Sequence, residues 1–217
     1  MKNLLYKERR LAASPLSYFF LAFSLMTFLP GYPILVGSFF VCLGIFYSFQ
    51  QARECGDVTY SVLLPVRKRD VVTAKYRFVL EIELAAFLLC AVFTAVRMGL
   101  LGQAAVYAQN PMLNANLCYL GFILLNFALF NLIFLGGFFK TAYKFARPFV
   151  SFIIACFLVI FTAEALHHVP GLEKLNAFGA DDMALQLILF VAGIFIFLLI
   201  TSLSCRRACE RFEGIDL

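Results

Sequence analysis

LLPVRKRDVVTAKYR, residues 63–77, gathers five of the chain's 18 lysines and arginines into one short stretch. Long, nearly uncharged apolar runs lie on both sides of it. A run of about 20 apolar residues is the length that crosses a bilayer, so this basic stretch reads as a turn between two membrane spans. Pro65 stops whatever precedes it. Asp70 is placed to cap a helix that starts at Val71, since a carboxylate there accepts free backbone N–H groups and suits the positive end of the helix dipole. The expectation is an elbow: a short apolar step from Val62 to Val66, a basic turn, and a rigid rod of about 26 residues, near 39 Å, into the bilayer.

The rest of the composition agrees. Of 217 residues, 63% are hydrophobic, 14% are charged, and the mean hydropathy is +0.89. A soluble domain of this size cannot hide that much apolar surface, so lipid must be its solvent. The net charge of +5 does not point to nucleic acid, because the basic residues fall only in the gaps between apolar runs. The seven cysteines, at 42, 55, 90, 118, 156, 205 and 209, show no C-x-x-C pair and read as small apolar side chains. The N-terminal stretch has a basic and then an apolar region but no small-x-small cleavage pattern, and is read as retained.

Working outward gives an all-α, polytopic membrane protein with six spans at about 14–29, 33–51, 78–96, 117–139, 149–167 and 183–204. The motif PGYP makes the first two a tight hairpin, and Gly37, Gly44 and Ser48 offer a small face for close helix approach. Sixteen of the 18 lysines and arginines lie at the N-terminus, in 51–77, in 140–147 or after 204; only Arg97 and Lys174 lie elsewhere. That split places those four segments and both termini in the cytoplasm, with loops 97–116 and 168–182 outside. No linker or repeat divides residues 1–217, so one domain is expected. Leu4, Leu5, Leu11 and Ala12 share one arc of a helical wheel, predicting a short amphipathic helix on the inner membrane surface. Glu8 falls in that arc. Either it snorkels or pairs with a neighbouring arginine, or it faces another protein segment.

Catalytic patterns are missing. There is no G-x-x-x-x-G-K-[ST], H-E-x-x-H or G-x-S-x-G. The only histidines, His167 and His168, are adjacent and point about 100° apart on a helix, a poor arrangement for sharing a metal. Glu81 and Glu83 are two residues apart on different helix faces, which excludes a paired-glutamate intramembrane protease. Arg77, four residues before Glu81, is its expected ion-pair partner. Glu83 lies about five residues, some 8 Å, into the third span. A carboxylate at that depth is expected to face protein or a water-filled cavity, and Asn126 and Asn131 in the fourth span are expected to bond between helices.

These features together resemble the permease subunits of ABC transporters, in particular the type-2 exporter permeases of bacteria. The residues that carry the resemblance are the amphipathic start LLYKERRL, the inner loop YSVLLPVRKRDVVTAKY, and the six-span plan with both ends inside. The resemblance implies a multi-pass protein of the bacterial cell membrane that exports a peptide, toxic amphiphile or drug and is itself no enzyme. ATP and Mg would be bound by a separate ATPase subunit, and a second permease copy or paralogue would complete a dimer. Tyr6, Lys7 and Glu8 would belong to a connecting helix. Leu63, Leu64, Pro65, Val66, Arg67, Lys68, Arg69 and Asp70 would form the segment that docks on the ATPase. The plain alternative for this segment is anchoring to anionic lipid, which explains its charge but not its Leu-Pro-Val step. A different class, a small-molecule-binding membrane module such as the substrate-capture subunit of a vitamin importer, is the competing reading of the whole chain.

Overall fold

The computed structural model describes residues 2–101, 104–141 and 144–215, so residues 102–103 of the predicted outer loop and 142–143 of the predicted inner one lie outside the described residues. Among the described residues every regular element is helical. The elements are α1 (Lys2–Ala12), α2 (Pro15–Phe28), α3 (Val36–Glu54), α4 (Asp57–Leu63), α5 (Lys68–Gly99), α6 (Ala105–Ala108), α7 (Leu117–Phe138), α8 (Ala146–Leu166) and α9 (Met183–Glu213).

Four helices, α5, α7, α8 and α9, are long and apolar enough to cross a membrane, and they cover the third to sixth expected spans to within one residue. The first hairpin is built differently. A 90° bend separates α1 from α2, where Pro15 takes the first helical position and the Ser14 hydroxyl accepts the N–H of Leu16. From Phe20 to Phe28, α2 winds as a 3-10 helix. That winding rises about 2.0 Å per residue, so the helix reaches roughly 25 Å, nearer the bilayer core than an α-helix of equal length. α3 has 19 residues, but its last turns carry Gln50, Gln51, Arg53 and Glu54 and shorten its apolar part.

Small residues set the close contacts. A Cβ on Gly37 would lie 2.9 Å from the Phe23 carbonyl, and one on Gly44 would lie 2.7 Å from the Phe20 Cβ. Ser48 accepts the Ser14 N–H at 2.7 Å, and Ser17 donates to the Gly44 carbonyl at 2.6 Å. The expected small face of α3 is therefore what α2 packs on. α7 and α9 approach equally closely, since a Cβ on Gly193 would lie 2.8 Å from the Gly121 Cα. Between α3, α7 and α8 the core is aromatic: Phe46 stacks on Phe149 at 3.9 Å, and Phe130 on Phe134 at 4.8 Å. The chain has twenty-seven phenylalanines, and such ring pairs add to what burial alone contributes.

At one end of the bundle Arg97, 1% exposed, donates to the Thr27 carbonyl at 2.7 Å and sits 4.2 Å over the Tyr107 ring. This cation, which the sequence marks only as a loop charge, ties the far end of α5 to α2. At the other end lie α1, α4, the foot of α5 and the end of α9.

Candidate functional site: the basic end and the polar middle of the bundle

The turn from α3 into α4 uses Gly56 in the left-handed region, φ +63°, which costs glycine little and other residues more. α4 then buries Val58 and Ser61 and turns Tyr60 and Leu63 outward, 60% and 80% exposed. Leu64 is extended and half-buried, and the chain turns through Pro65 and Val66 into α5. The elbow exists; of its apolar residues Leu63 stands out furthest, with Tyr60 of α4 beside it, while Leu64 and Val66 are half-buried.

Asp70 does not cap α5. The helix starts at Lys68, with Arg67 at the cap position and no side-chain cap, and Asp70 sits inside the first turn. The rod is therefore 32 residues long, about 48 Å, and not 26. Its carboxylate still favours the positive helix end through the dipole. The basic collar is also less free than its sequence implies. Lys68 donates to the Ile215 carbonyl at 2.5 Å, and the Cys209 thiol lies 3.8 Å from the Arg69 carbonyl. The end of α9 thus braces the elbow, while Arg67 and the Arg69 side chain remain exposed.

Beneath the elbow is a closed ring of charge. Lys75 lies 2.8 Å from Glu8 and 2.8 Å from Asp57; Lys7 lies 3.0 Å from Glu8 and 2.7 Å from Asp57. Lys7 also donates to Ser61 at 2.5 Å. Two cations and two anions alternate, so the ring is neutral, which is the condition under which burying Glu8 and Lys75 beside the part-buried Lys7 and Asp57 is tolerable. Burial pushes the Asp57 carboxyl up, but Lys75 and Lys7 outweigh that and hold it below the usual carboxylate range. Of the two readings of Glu8, the structure selects contact with another protein segment. The cause is local: residues Glu8–Ala12 wind as a π turn, whose extra residue per turn rotates Glu8 inward and leaves Leu11 74% exposed. Leu11 therefore leaves the apolar arc assigned to it, while Leu4 and Ala12 are buried. Tyr6 is 64% exposed. The expected pair of Glu81 with Arg77 is also replaced. Glu81 pairs with Arg9, whose Nε donates at 2.8 Å, because α1 lies across the face of α5.

Deeper in the bundle Glu83 is 1% exposed. Its Oε2 accepts from Asn131 Nδ2 at 2.9 Å, and the same nitrogen lies 3.1 Å from the Thr201 hydroxyl. Asn131 sits in a second π turn, Phe130–Leu135, and Ser204 donates to its carbonyl at 2.6 Å. A π turn loosens the usual helix bonding, and here a side chain from α9 supplies the partner. Asn126 donates to Ser38 at 2.9 Å. Both asparagines bond between helices, as expected from their depth. Among the described residues Glu83 Oε1 and Asn131 Oδ1 have no hydrogen-bond partner. Glu83 also lines an otherwise apolar cavity of about 250 Å³ with Leu80, Leu84, Phe87, Phe127 and Phe197.

Of the predicted residues, Lys7 and Glu8 join the ring under the elbow, and Glu83 and Asn131 join each other. Asn126 stands apart on the α3 side. Sequence reasoning missed Asp57, Tyr60 and Lys75. Asp57 directly follows a glycine at the start of a short amphipathic stretch, which was the available signal. A family model described as ABC-2 family transporter protein matches residues 2–213. No curated protein and no solved structure matches the chain.

Proposed function

This chain belongs to the ABC-2 family of transporter proteins, and we propose that it is the membrane-spanning permease subunit of an ATP-driven exporter, moving a peptide, toxic amphiphile or drug. It works as a dimer with a second copy or paralogue in the bacterial cell membrane, with six spans and both termini inside. ATP and Mg belong to a separate ATPase subunit that seats on α4 and the elbow.

The observation that carries this reading is the joint at the basic end. Tyr60 and Leu63 are exposed on a seven-residue helix whose opposite side is pinned, through Asp57, to both α1 and the foot of α5. An apolar knob beside Arg67 and Arg69 suits a cleft with an acidic rim, where the knob holds the complex and the charges speed its formation. A force on α4 is passed through Asp57 and Lys75 to a helix about 48 Å long, which reaches the far end of the bundle. Lipid anchoring alone accounts for the charges but not for an apolar knob carried on a buried ionic ring.

The direct test is affinity purification of the chain from native membranes. Recovery of an ABC ATPase, lost on Leu63→Asp, supports the reading. A complex that keeps its ATPase in that variant sinks the docking role of α4.

A further inference from the structure

The second basic cluster of this end lies apart from the elbow, where the end of α7 meets the start of α8. A cleft of about 450 Å³ opens there, edged by Lys140, Thr141, Lys144, Arg147 and Ser151. Its floor is tight: a Cβ on Gly137 would lie 2.8 Å from the Pro148 ring, so the two helix ends meet under the cleft without space between them. Among the described residues none of the three cations has a carboxylate within ion-pair distance. No side chain caps α8, so the positive end of its dipole faces the same region.

We propose that this cleft holds the headgroup of an anionic phospholipid from the adjoining leaflet. Three cations with no carboxylate partner among the described residues, two hydroxyls and a helix N-terminus line one concavity, and their chemistry matches a phosphodiester. The apolar part of the ligand has a track as well. Val150, Ile154, Leu158 and Phe161 are all exposed along α8, at helical spacings of four, four and three that keep them on one face. The track starts one turn from the cleft and runs into the apolar length of the helix. Headgroup site and acyl track are thus continuous, which a soluble partner could not exploit. Basic pockets between membrane helices on the positively charged side are suited to lipid headgroups in this way. The elbow's own cations differ, since they surround a protruding knob and not a cavity.

The test uses the purified full chain in detergent, with bound lipid counted by native mass spectrometry. Dioleoylphosphatidylglycerol is titrated against dioleoylphosphatidylcholine, with inorganic phosphate as a third probe. The wild-type chain retains one phosphatidylglycerol tightly and phosphatidylcholine weakly. The combined Lys140→Gln, Lys144→Gln and Arg147→Gln variant weakens that binding on the order of a hundredfold, each cation near an anionic lipid contributing roughly fivefold. Ser151→Trp keeps every charge but fills the cleft, and weakens it too. Arg67→Gln with Arg69→Gln, a loss of two charges at the elbow, leaves it unchanged. Equal retention of both lipids overturns the proposal, as does undiminished binding by the triple variant and Ser151→Trp. Displacement of the lipid by millimolar inorganic phosphate also overturns it, assigning the cleft to a free anion. None of these outcomes depends on transport, so the proposal and the exporter reading fail separately.

Discussion

Lys75 Nζ lies 2.8 Å from Glu8 Oε2, joining the first helix of the chain to the foot of its longest one. Neither residue is solvated. Each therefore depends on the other and on the ion pairs beside it, which link α1, α4 and α5 at the basic end.

Lys75→Met should leave Glu8 and Asp57 sharing only Lys7, a buried charge imbalance that costs about 3–5 kcal/mol. Thermal unfolding in detergent should show it as a lowered Tm. Adding Glu8→Gln should restore part of the loss, because it removes the stranded charge. Fully additive losses in this double-mutant cycle would mean that the two residues act independently.

The acid response of the ring follows from Asp57. Its folded pKa lies below the ordinary aspartate value, so the group stabilises the fold at pH values above its unfolded pKa. That contribution is lost as pH falls through the lower folded value. Stability attributable to Asp57 should be level from neutral pH to about 5 and decline below about 4. Asp57→Asn should be less stable at neutral pH and show a shallower acid decline. A variant with the same acid limb as wild type would remove Asp57 from the account.

At the elbow the most exposed apolar side chain should dominate. Leu63→Asp or Tyr60→Asp should weaken ATPase co-purification by about thirtyfold or more, the range of an interface anchor. Leu64→Asp should do less, since Leu64 is half-buried against its own chain. Neutralising Arg67 and Arg69 should mainly slow association and make it salt-sensitive. Pull-down at several ionic strengths separates these effects. A stronger effect from Leu64 than from Leu63 would make Leu64 the anchor instead.

Glu83→Leu should insert normally, because it removes a costly polar group from the membrane. It should nevertheless reduce transport severalfold, since Asn131 then keeps only Thr201 as partner and the joint between α5, α7 and α9 loses its polar pin. Glu83→Gln retains an acceptor for Asn131 and should sit between the two. Transport assays in reconstituted vesicles decide this, and wild-type rates for Glu83→Leu would leave Glu83 without a role in transport.

A cysteine placed at position 68 should be labelled only from the cytoplasmic side, and one at position 181 only from outside. The expectation rests on the sixteen-to-two division of basic residues. Labelling of position 68 by an impermeant reagent from outside would invert the topology, and with it the placement of the ATPase.

The sequence alone determined the class of the protein, its four longest helices and the end at which charge collects. Hydropathy and the spacing of lysine and arginine are properties of the chain that bilayer thickness and membrane charge read directly. The elbow was legible too, through Pro65 and its cluster of cations, as was the interhelical bonding of Asn126 and Asn131, since polar groups at that depth have no other partner. Only the tertiary structure decided which charges pair. Glu81 had an acceptable partner in Arg77 one turn away, yet Arg9, distant by 72 residues, takes it, because the 90° bend after Ala12 lays α1 across α5. The helical wheel of α1 failed for a related reason. It assumes 3.6 residues per turn, and the π turn from Glu8 to Ala12 breaks that period to bring Glu8 to Lys75. Asp70 shows the same limit at a helix start: Lys68 finds the Ile215 carbonyl at the far end of the chain, and α5 begins two residues before Asp70. Local spacing records what a helix can do by itself, whereas register, pairing and helix starts are settled by the segments that fold against it.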